Sequence, residues 1–476
     1  MKTVDDVMWM SLIDLNLRMD QPTTSPTDHG MPPLSTQPLR FVMPTVLSHT
    51  LSNGTRVRLI PAANEDILSI TLGIDTGAVH DAIAGETTFT AKMLTRGTER
   101  LTPEAIAREV ESRGCTLSSA ATYDVTTLSA MGLADHSRVM LSLMAESLLT
   151  PRFDHAELDR ERQRRIADIM INTDDPDYRA VWASMHAAYH GHAYGRLRDG
   201  DAATLALVDA DVMRRVHARL LRCPRAIIVA GPFDPAEMLR HLEEALGPLP
   251  VSDIDPTIAE GTMWTGTAVI APKDDAVQTV LRISLPSVAH MHPDMPAMSL
   301  VTTAFGGYTL ARLFTVLREQ KGYTYGAYAF PEMRRYGRTT VIGTSVGNEY
   351  TADTMLTIRE ELNRLTREPL SAEDLGNARQ YMLGSFARNN ETPQQAAGLA
   401  WTMLQFGLPD DYYATYVRRL QEVTAEECLA VQQRYFDPSS WAMGLCGNDD
   451  IVRSSLQGLV DRIVHMDPAT RSLIDE

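Results

Sequence analysis

Cysteine is scarce in this chain. Its four residues, Cys115, Cys223, Cys428 and Cys446, stand far apart with no C-x-x-C pair. That spacing excludes a thiolate metal site and a disulfide framework, and four buried free thiols are expected. A basic surplus is absent too. With 44 Lys and Arg against 61 Asp and Glu, the formal charge is −17, which argues against nucleic-acid binding and against a basic membrane-surface patch. The charges are interspersed, so the acidity reads as solvated helix faces. No apolar run reaches the roughly 18–20 residues that span a bilayer, so no transmembrane segment is expected. Asp5, Asp6 and Asp14 interrupt what would be a signal peptide's hydrophobic core. We therefore read no secretion signal and expect a cytoplasmic protein.

What is present suits two domains. The chain of 476 residues is too long for one ordinary core and fits two of about 200 residues each. Residues 1–43 read as a flexible arm, rich in Pro, Ser and Thr from Asp20 onward, with Met19 and Met43 as further possible translation starts. An α+β domain is expected over 44–247, opening with a hairpin at Asn53-Gly54. The alternation of 67–75 predicts a strand, and helices are expected near 88–96, 102–113, 134–149, 154–172 and 176–189. Pro248, Pro250 and Pro256 mark 248–261 as the linker, and 262–476 as a second α+β domain. The second half repeats the first. Met140-Leu-Ser-Leu-Met-Ala-Glu, Glu157-Leu158 and Arg162 are echoed by Met355-Leu-Thr-Ile-Arg-Glu-Glu, Asp374-Leu375 and Arg379.

One stretch is informative through three missing residues. Gly85-Glu-Thr-Thr-Phe-Thr-Ala-Lys-Met-Leu-Thr-Arg-Gly-Thr98 resembles the zinc-site helix of the pitrilysin/insulinase metallopeptidases, G-x-x-H-F-x-E-H-M-x-x-x-G-T. The glycines, the Phe-to-Met spacing and the closing Gly-Thr are there. Thr88 stands at the first histidine, Ala91 at the glutamate and Lys92 at the second histidine. The motif works because i and i+4 share a helix face, so two imidazoles converge on one ion while the glutamate takes a proton from its water. Threonine is a poor ligand, alanine takes no proton, and lysine brings a cation to a cation's place. The resemblance sets the third ligand on a later helix with two acidic positions on one face, here Glu161 and Asp168. No metal is expected on this chain, and Lys92 is expected to pair with Asp168 or Glu161 in its stead.

The second half carries a fuller match. Phe305-Gly306-Gly307, Arg312-Leu-Phe314, Leu317-Arg-Glu319, Gly322 and Tyr325 resemble the family's other signature, whose arginine and tyrosine reach the zinc site from the second domain. By that resemblance Tyr325 stabilises the oxyanion and Arg318 holds the substrate backbone. Tyr323 is the fallback, expected to share a strand face with Tyr325. His186, His190 and His192 invite a metal reading, but no carboxylate completes a ligand pattern. The turn at His192-Ala-Tyr194-Gly195 reads as structural, and His290 and His292 carry no functional weight. The 24 methionines follow apolar helix faces and read as core.

The resemblance implies two homologous α+β domains, each a mostly antiparallel sheet packed by helices, together forming half of a clamshell chamber. It further implies a bacterial, non-catalytic subunit of a heterodimeric zinc peptidase. Such a subunit takes short unfolded peptides, pairs with an H-x-x-E-H-bearing chain that holds the zinc, and donates Arg318 and Tyr325 in trans. A mitochondrial processing α-subunit fits less well, since only Gly306-Gly307 stands where those carry a long glycine-rich loop. The alternative is a catalytically silent scaffold or peptide-binding homodimer resembling respiratory-complex core subunits.

Overall fold

The computed structural model describes Pro44–Asp467 and Ser472–Ile474. The arm expected over 1–43 lies outside the described residues. Alternating apolar residues build two sheets. The first orders its strands β1(Leu47–Thr50), β2(Arg56–Pro61), β6(Arg225–Gly231), β3(Ile67–Ile74), β5(Thr126–Leu133) and β4(Thr116–Ala121). The second runs β13(Leu473–Ile474), β12(Arg462–Met466), β7(Thr267–Pro272), β11(Ala442–Gly447), β8(Gln278–Pro286), β10(Gly337–Gly347) and β9(Ala327–Arg334). Most pairings are antiparallel, but β2–β6, β7–β11 and β7–β12 are parallel, so both sheets are mixed.

The repeat seen in the sequence is a repeat of topology. The order β2-β6-β3-β5-β4 in the first sheet is matched by β7-β11-β8-β10-β9 in the second. Equivalent side chains do equivalent work. Arg162 donates to the carbonyls of Leu205 and Val208, at 3.1 and 2.9 Å. Arg379 donates to those of Leu420 and Val423, at 3.0 and 2.6 Å. Each guanidinium caps carbonyls at the C-terminal end of a helix, Ala202–Ala206 in one half and Tyr412–Glu422 in the other, where the last carbonyls have no partner farther along the helix.

Each half also sends one helix across to the other's sheet. Pro176–Ala188 is started by Asp175, which accepts from Asp177 N, with Pro176 in the first turn. Its Ala180, Ala183 and Ala187 share a face and pack with Val269, Ala271 and Ala442 of the second sheet. Small residues bring the helix backbone close: a Cβ on Gly444 of β11 would lie 1.9 Å from Ser184 N. In return Pro393–Phe406, opened by a Thr392–Gln395 capping box, lays Ala396, Ala400, Met403 and Leu404 against Ile60, Ile228 and Ala230 of the first sheet. At roughly 1.5–3 kcal/mol for each large side chain buried, this reciprocal cover holds the halves together.

The tip of the β9–β10 hairpin locks the seam. Arg335 N donates to Asp124 Oδ2 at 3.2 Å, Tyr336 N to the Tyr194 hydroxyl at 3.1 Å, and the Arg335 guanidinium pairs with Asp75 at 3.3 Å. Residues 248–261 hold neither helix nor strand, yet they are tied to both halves. Pro256 O accepts from His80 Nε2 at 2.7 Å and from the Tyr336 hydroxyl at 3.2 Å.

Two features were not anticipated. The helices Ala202–Ala206 and Ala210–Arg222 fill a stretch for which no element was expected. The helical stretch Met295–Gln320 is long and apolar enough, by length and composition, to cross a membrane. It is interrupted, however, where Tyr308 turns extended, and Met298, Phe305, Leu313 and Leu317 are buried in the second core, as in the core helix of a globular domain.

Candidate functional site

The eroded zinc helix, expected near 88–96, is Glu86–Met93: it begins two residues earlier and ends three earlier. Gly85 caps it at φ 88°, in the left-handed region, where a Cβ would sit 2.7 Å from Asp199 O. The helix start is thereby pressed onto the loop Arg198–Gly200. Arginines anchor the buried acids at and before its start: Arg215 pairs with Glu86 at 2.9 Å, and Arg219 with Asp81, in the preceding turn, at 3.5 Å. Burial nevertheless pushes the Asp81 carboxyl up to about 7, against hydrogen bonds from Thr87 and the charge of Arg219.

At the metal positions the pairing expected of Lys92 does not form. Half-buried, Lys92 makes no ion pair among the described residues, while the buried Glu161 takes Arg96 at 3.4 Å and Asp168 is exposed. Arg96 stands in the turn just past the end of this helix, its N donating to Met93 O, and from there its longer fork reaches the carboxylate. The compensating cation is instead Arg165, from the helix His155–Asp174. Its Nη2 donates to Thr88 Oγ1 and to Asp199 Oδ1, each at 3.1 Å, and its Cζ stands 5.9 Å from the Phe89 ring centroid. Thr88 in turn donates to Gly85 O and Arg198 O.

These residues do not fit a zinc ion. Thr88, at the first ligand position, already serves a guanidinium, Ala91 is fully buried with no ligating atom, and Lys92 is cationic. Among the described residues no group of three or more His, Cys, Asp or Glu is placed to hold a metal. His186, His190 and His192 have other partners. Burial beside His190 lowers His186 to about 4, and His190 stacks on Trp264 with centroids 3.8 Å apart. His192 Nδ1 accepts from Tyr194 N, and its Nε2 lies 3.1 Å from Ala259 O. The four cysteines are free and buried.

In the second half Arg318 and Tyr325 come together. Residues Thr315–Gln320 wind as a π-helix, and Gly322 at φ 70° closes it, with Tyr323 N donating to Leu317 O at 3.0 Å. The chain reverses there and lays the Tyr325 ring under Arg318. The guanidinium Cζ is 4.7 Å from the centroids of both Phe314 and Tyr325. Arg318 is exposed and makes no ion pair among the described residues, and Tyr325 is 88% exposed. The shared face expected for Tyr323 is not observed, because β9 begins only at Ala327 and the preceding segment is irregular. Tyr323 is engaged instead. It stacks on Tyr350 at 4.3 Å, and its hydroxyl is raised chiefly by a hydrogen bond to Asp353.

Comparison with known proteins places the chain. Residues 56–197 match the family model described as Insulinase (Peptidase family M16), and residues 208–382 the one described as Peptidase M16 inactive domain. The chain belongs to this pitrilysin/insulinase family. It is 24% identical over 350 residues to an uncharacterized zinc protease, YmxG, of Bacillus subtilis, spanning 72% of this chain and 84% of the relative. It is 18% identical over 342 residues to a non-peptidase homolog, YmxG, of Helicobacter pylori, spanning 71% and 78%. The crystal structure of a peptidase M16 inactive domain from Pseudomonas fluorescens matches at TM-score 0.79 and 21% identity, over 84% of this chain and 98% of that one. A protease from Helicobacter pylori matches at TM-score 0.77 and 16% identity, over 85% and 100%. The fold is that of two M16 domains, the second of the inactive type, consistent with a non-catalytic family member.

Proposed function

We propose that this chain is the non-catalytic half of a two-chain zinc peptidase. It forms half of a peptide chamber, and it presents Arg318 and Tyr325 to the active site of a partner whose H-x-x-E-H helix holds the zinc. The observation that carries this reading is the exposed pair itself: a guanidinium set over a phenol, neither engaged by a carboxylate among the described residues. Arginines in this protein are otherwise widely paired, as Arg96, Arg165 and Arg215 are. A hydroxyl and a guanidinium left open to solvent are donors held ready for an acceptor from outside. In a closed chamber that acceptor is the scissile carbonyl and the neighbouring peptide backbone, where preorganised donors stabilise developing charge.

The test is reconstitution. This chain is co-expressed with an H-x-x-E-H-bearing half of the same family, and cleavage of a short unstructured peptide is followed. The pair is expected to cleave, and each chain alone to be silent. A partner that cleaves equally well by itself, or beside the Arg318→Ala and Tyr325→Phe variants, overturns the reading.

A further inference from the structure

The crossing helix Pro176–Ala188 covers only part of the second sheet. It sits on β11, where Gly444 lies under Ser184. Gly444 is in register with Arg282 of β8, Arg282 with Gly343 of β10, and Gly343 with Tyr328 of β9, so all four present the same face. Beyond the helix that face is open: Tyr328 and Phe330 are each 38% exposed, and Gln278 is exposed.

An arginine and two aromatic rings are assembled there. Glycine at 343 lets the Tyr328 ring lie across β10, since a Cβ would stand 2.2 Å from its Cζ. The hydroxyl then reaches Arg282, whose Nη1 donates to it at 3.2 Å. Phe330 stacks on Tyr328 with ring centroids 5.7 Å apart. Arg282 has no carboxylate partner among the described residues, and its Nε is buried without a hydrogen-bond partner. The acid of β9, Glu332, is taken by Arg334 at 3.2 Å. A guanidinium stripped of part of its water and left without a counter-charge is costly to hold until an anion completes it.

The scaffold requires none of these side chains. In the first half the equivalent strands β3, β5 and β4 hold no charged and no aromatic residue, and their open face carries small hydroxyls such as Thr71 and Ser129, 3.2 Å apart. The arginine and its rings therefore belong to the second half alone. They also adjoin the exposed pair, since Tyr325 precedes β9 by two residues.

We infer that this open face of the second sheet is a subsite for an acidic side chain of a bound peptide, with the carboxylate on Arg282 and the neighbouring residues packed on Tyr328 and Phe330. One unpaired guanidinium matches a single carboxylate, and the stacked rings supply apolar surface for the residues beside it. The choice of a peptide rests on the proposed chamber role and adds to it the sequence the chamber favours, an acid flanked by apolar or aromatic residues.

Calorimetric titration of the full chain alone tests this. The probe is the acetylated and amidated peptide Ala-Phe-Glu-Phe-Ala, whose one charge is the glutamate, and the control has glutamine there. The glutamate peptide is expected to bind about tenfold more tightly, as a charge-assisted hydrogen bond provides. Arg282→Gln is expected to remove that preference, Arg282→Lys to keep part of it, and about 0.5 M NaCl to shrink it in the native chain. Thermal melts establish that each variant is folded; should Arg282→Gln not fold, the lysine variant and the salt series decide. Equal binding of the two peptides overturns the inference, as does binding of neither at millimolar concentration, or a preference that survives Arg282→Gln or ignores salt. Since no partner chain is present, such a failure leaves donation by Arg318 and Tyr325 standing. A failed reconstitution equally leaves this preference measurable.

Discussion

Arg318 Cζ stands 4.7 Å from the Tyr325 ring centroid, with Phe314 at the same distance on the arginine's other contact. Both members of the pair are exposed, so the stack orients the guanidinium without burying it. Removing either side chain costs the fold little, within about 0.5 kcal/mol for a surface change. Arg318→Ala and Tyr325→Phe are therefore expected to leave the melting temperature unchanged while each lowers cleavage by the reconstituted pair about a hundredfold. Loss of stability in step with activity would mark the pair as structural.

Arg165 takes over at the eroded metal position. The triple change Thr88→His, Ala91→Glu and Lys92→His restores the motif's letters but leaves Arg165 in place and Asp168 exposed. It is expected to gain no stoichiometric zinc by elemental analysis after dialysis. Arg165→Ala in the native background strips a charge-assisted bond from Asp199 and from Thr88, and is expected to destabilise the protein by about 2–3 kcal/mol in urea unfolding. A stoichiometric zinc signal from the triple variant would show that the guanidinium is not what closes the site.

Periodicity made the duplicated strands legible, and Arg162 with Arg379 marked equivalent places because each recurs in the same block. Arg318 and Tyr325 were legible because a long local motif fixes their spacing. Arg165 was not. It lies between Glu161 and Asp168 on a charged helix, and nothing in a charged face tells which side chain turns inward; its i+4 relation to Glu161 was the one available signal. The exchange of Pro176–Ala188 and Pro393–Phe406 between halves was also hidden. Period and capping announce a helix but not whose sheet it covers, and Gly444 and Gly73, the residues that admit the crossings, look like any strand glycine.

The Asp81 carboxyl, lifted to about 7 from an ordinary 3.8 chiefly by burial, makes stability depend on pH. Its neighbours are Thr87, Arg219 and Glu86. Because the folded value is raised, the contribution is fully present below about pH 4 and is lost as pH rises through 7. Urea midpoints are expected to fall between pH 5 and 8, and Asp81→Asn to flatten that slope. If the slope persists in the variant, its source is another group.

The crossing helices make a prediction that separates glycines by their surroundings. A Cβ at Gly444 would lie 1.9 Å from the backbone of Ser184, and one at Gly73 would lie 1.6 Å from the Trp401 ring. Backbone cannot step aside as a ring can, so Gly444→Ala is expected to cost about 3 kcal/mol and Gly73→Ala less. Gly376, inside the helix Ala372–Arg388, has nothing within 4 Å of a built Cβ. There alanine removes the entropic penalty of a helical glycine, and Gly376→Ala is expected to stabilise by about 0.5–1 kcal/mol. Urea unfolding of the three variants checks the order. Equal effects at Gly444 and Gly376 would mean that the helix Pro176–Ala188 does not sit on the second sheet as closely as its alanines allow.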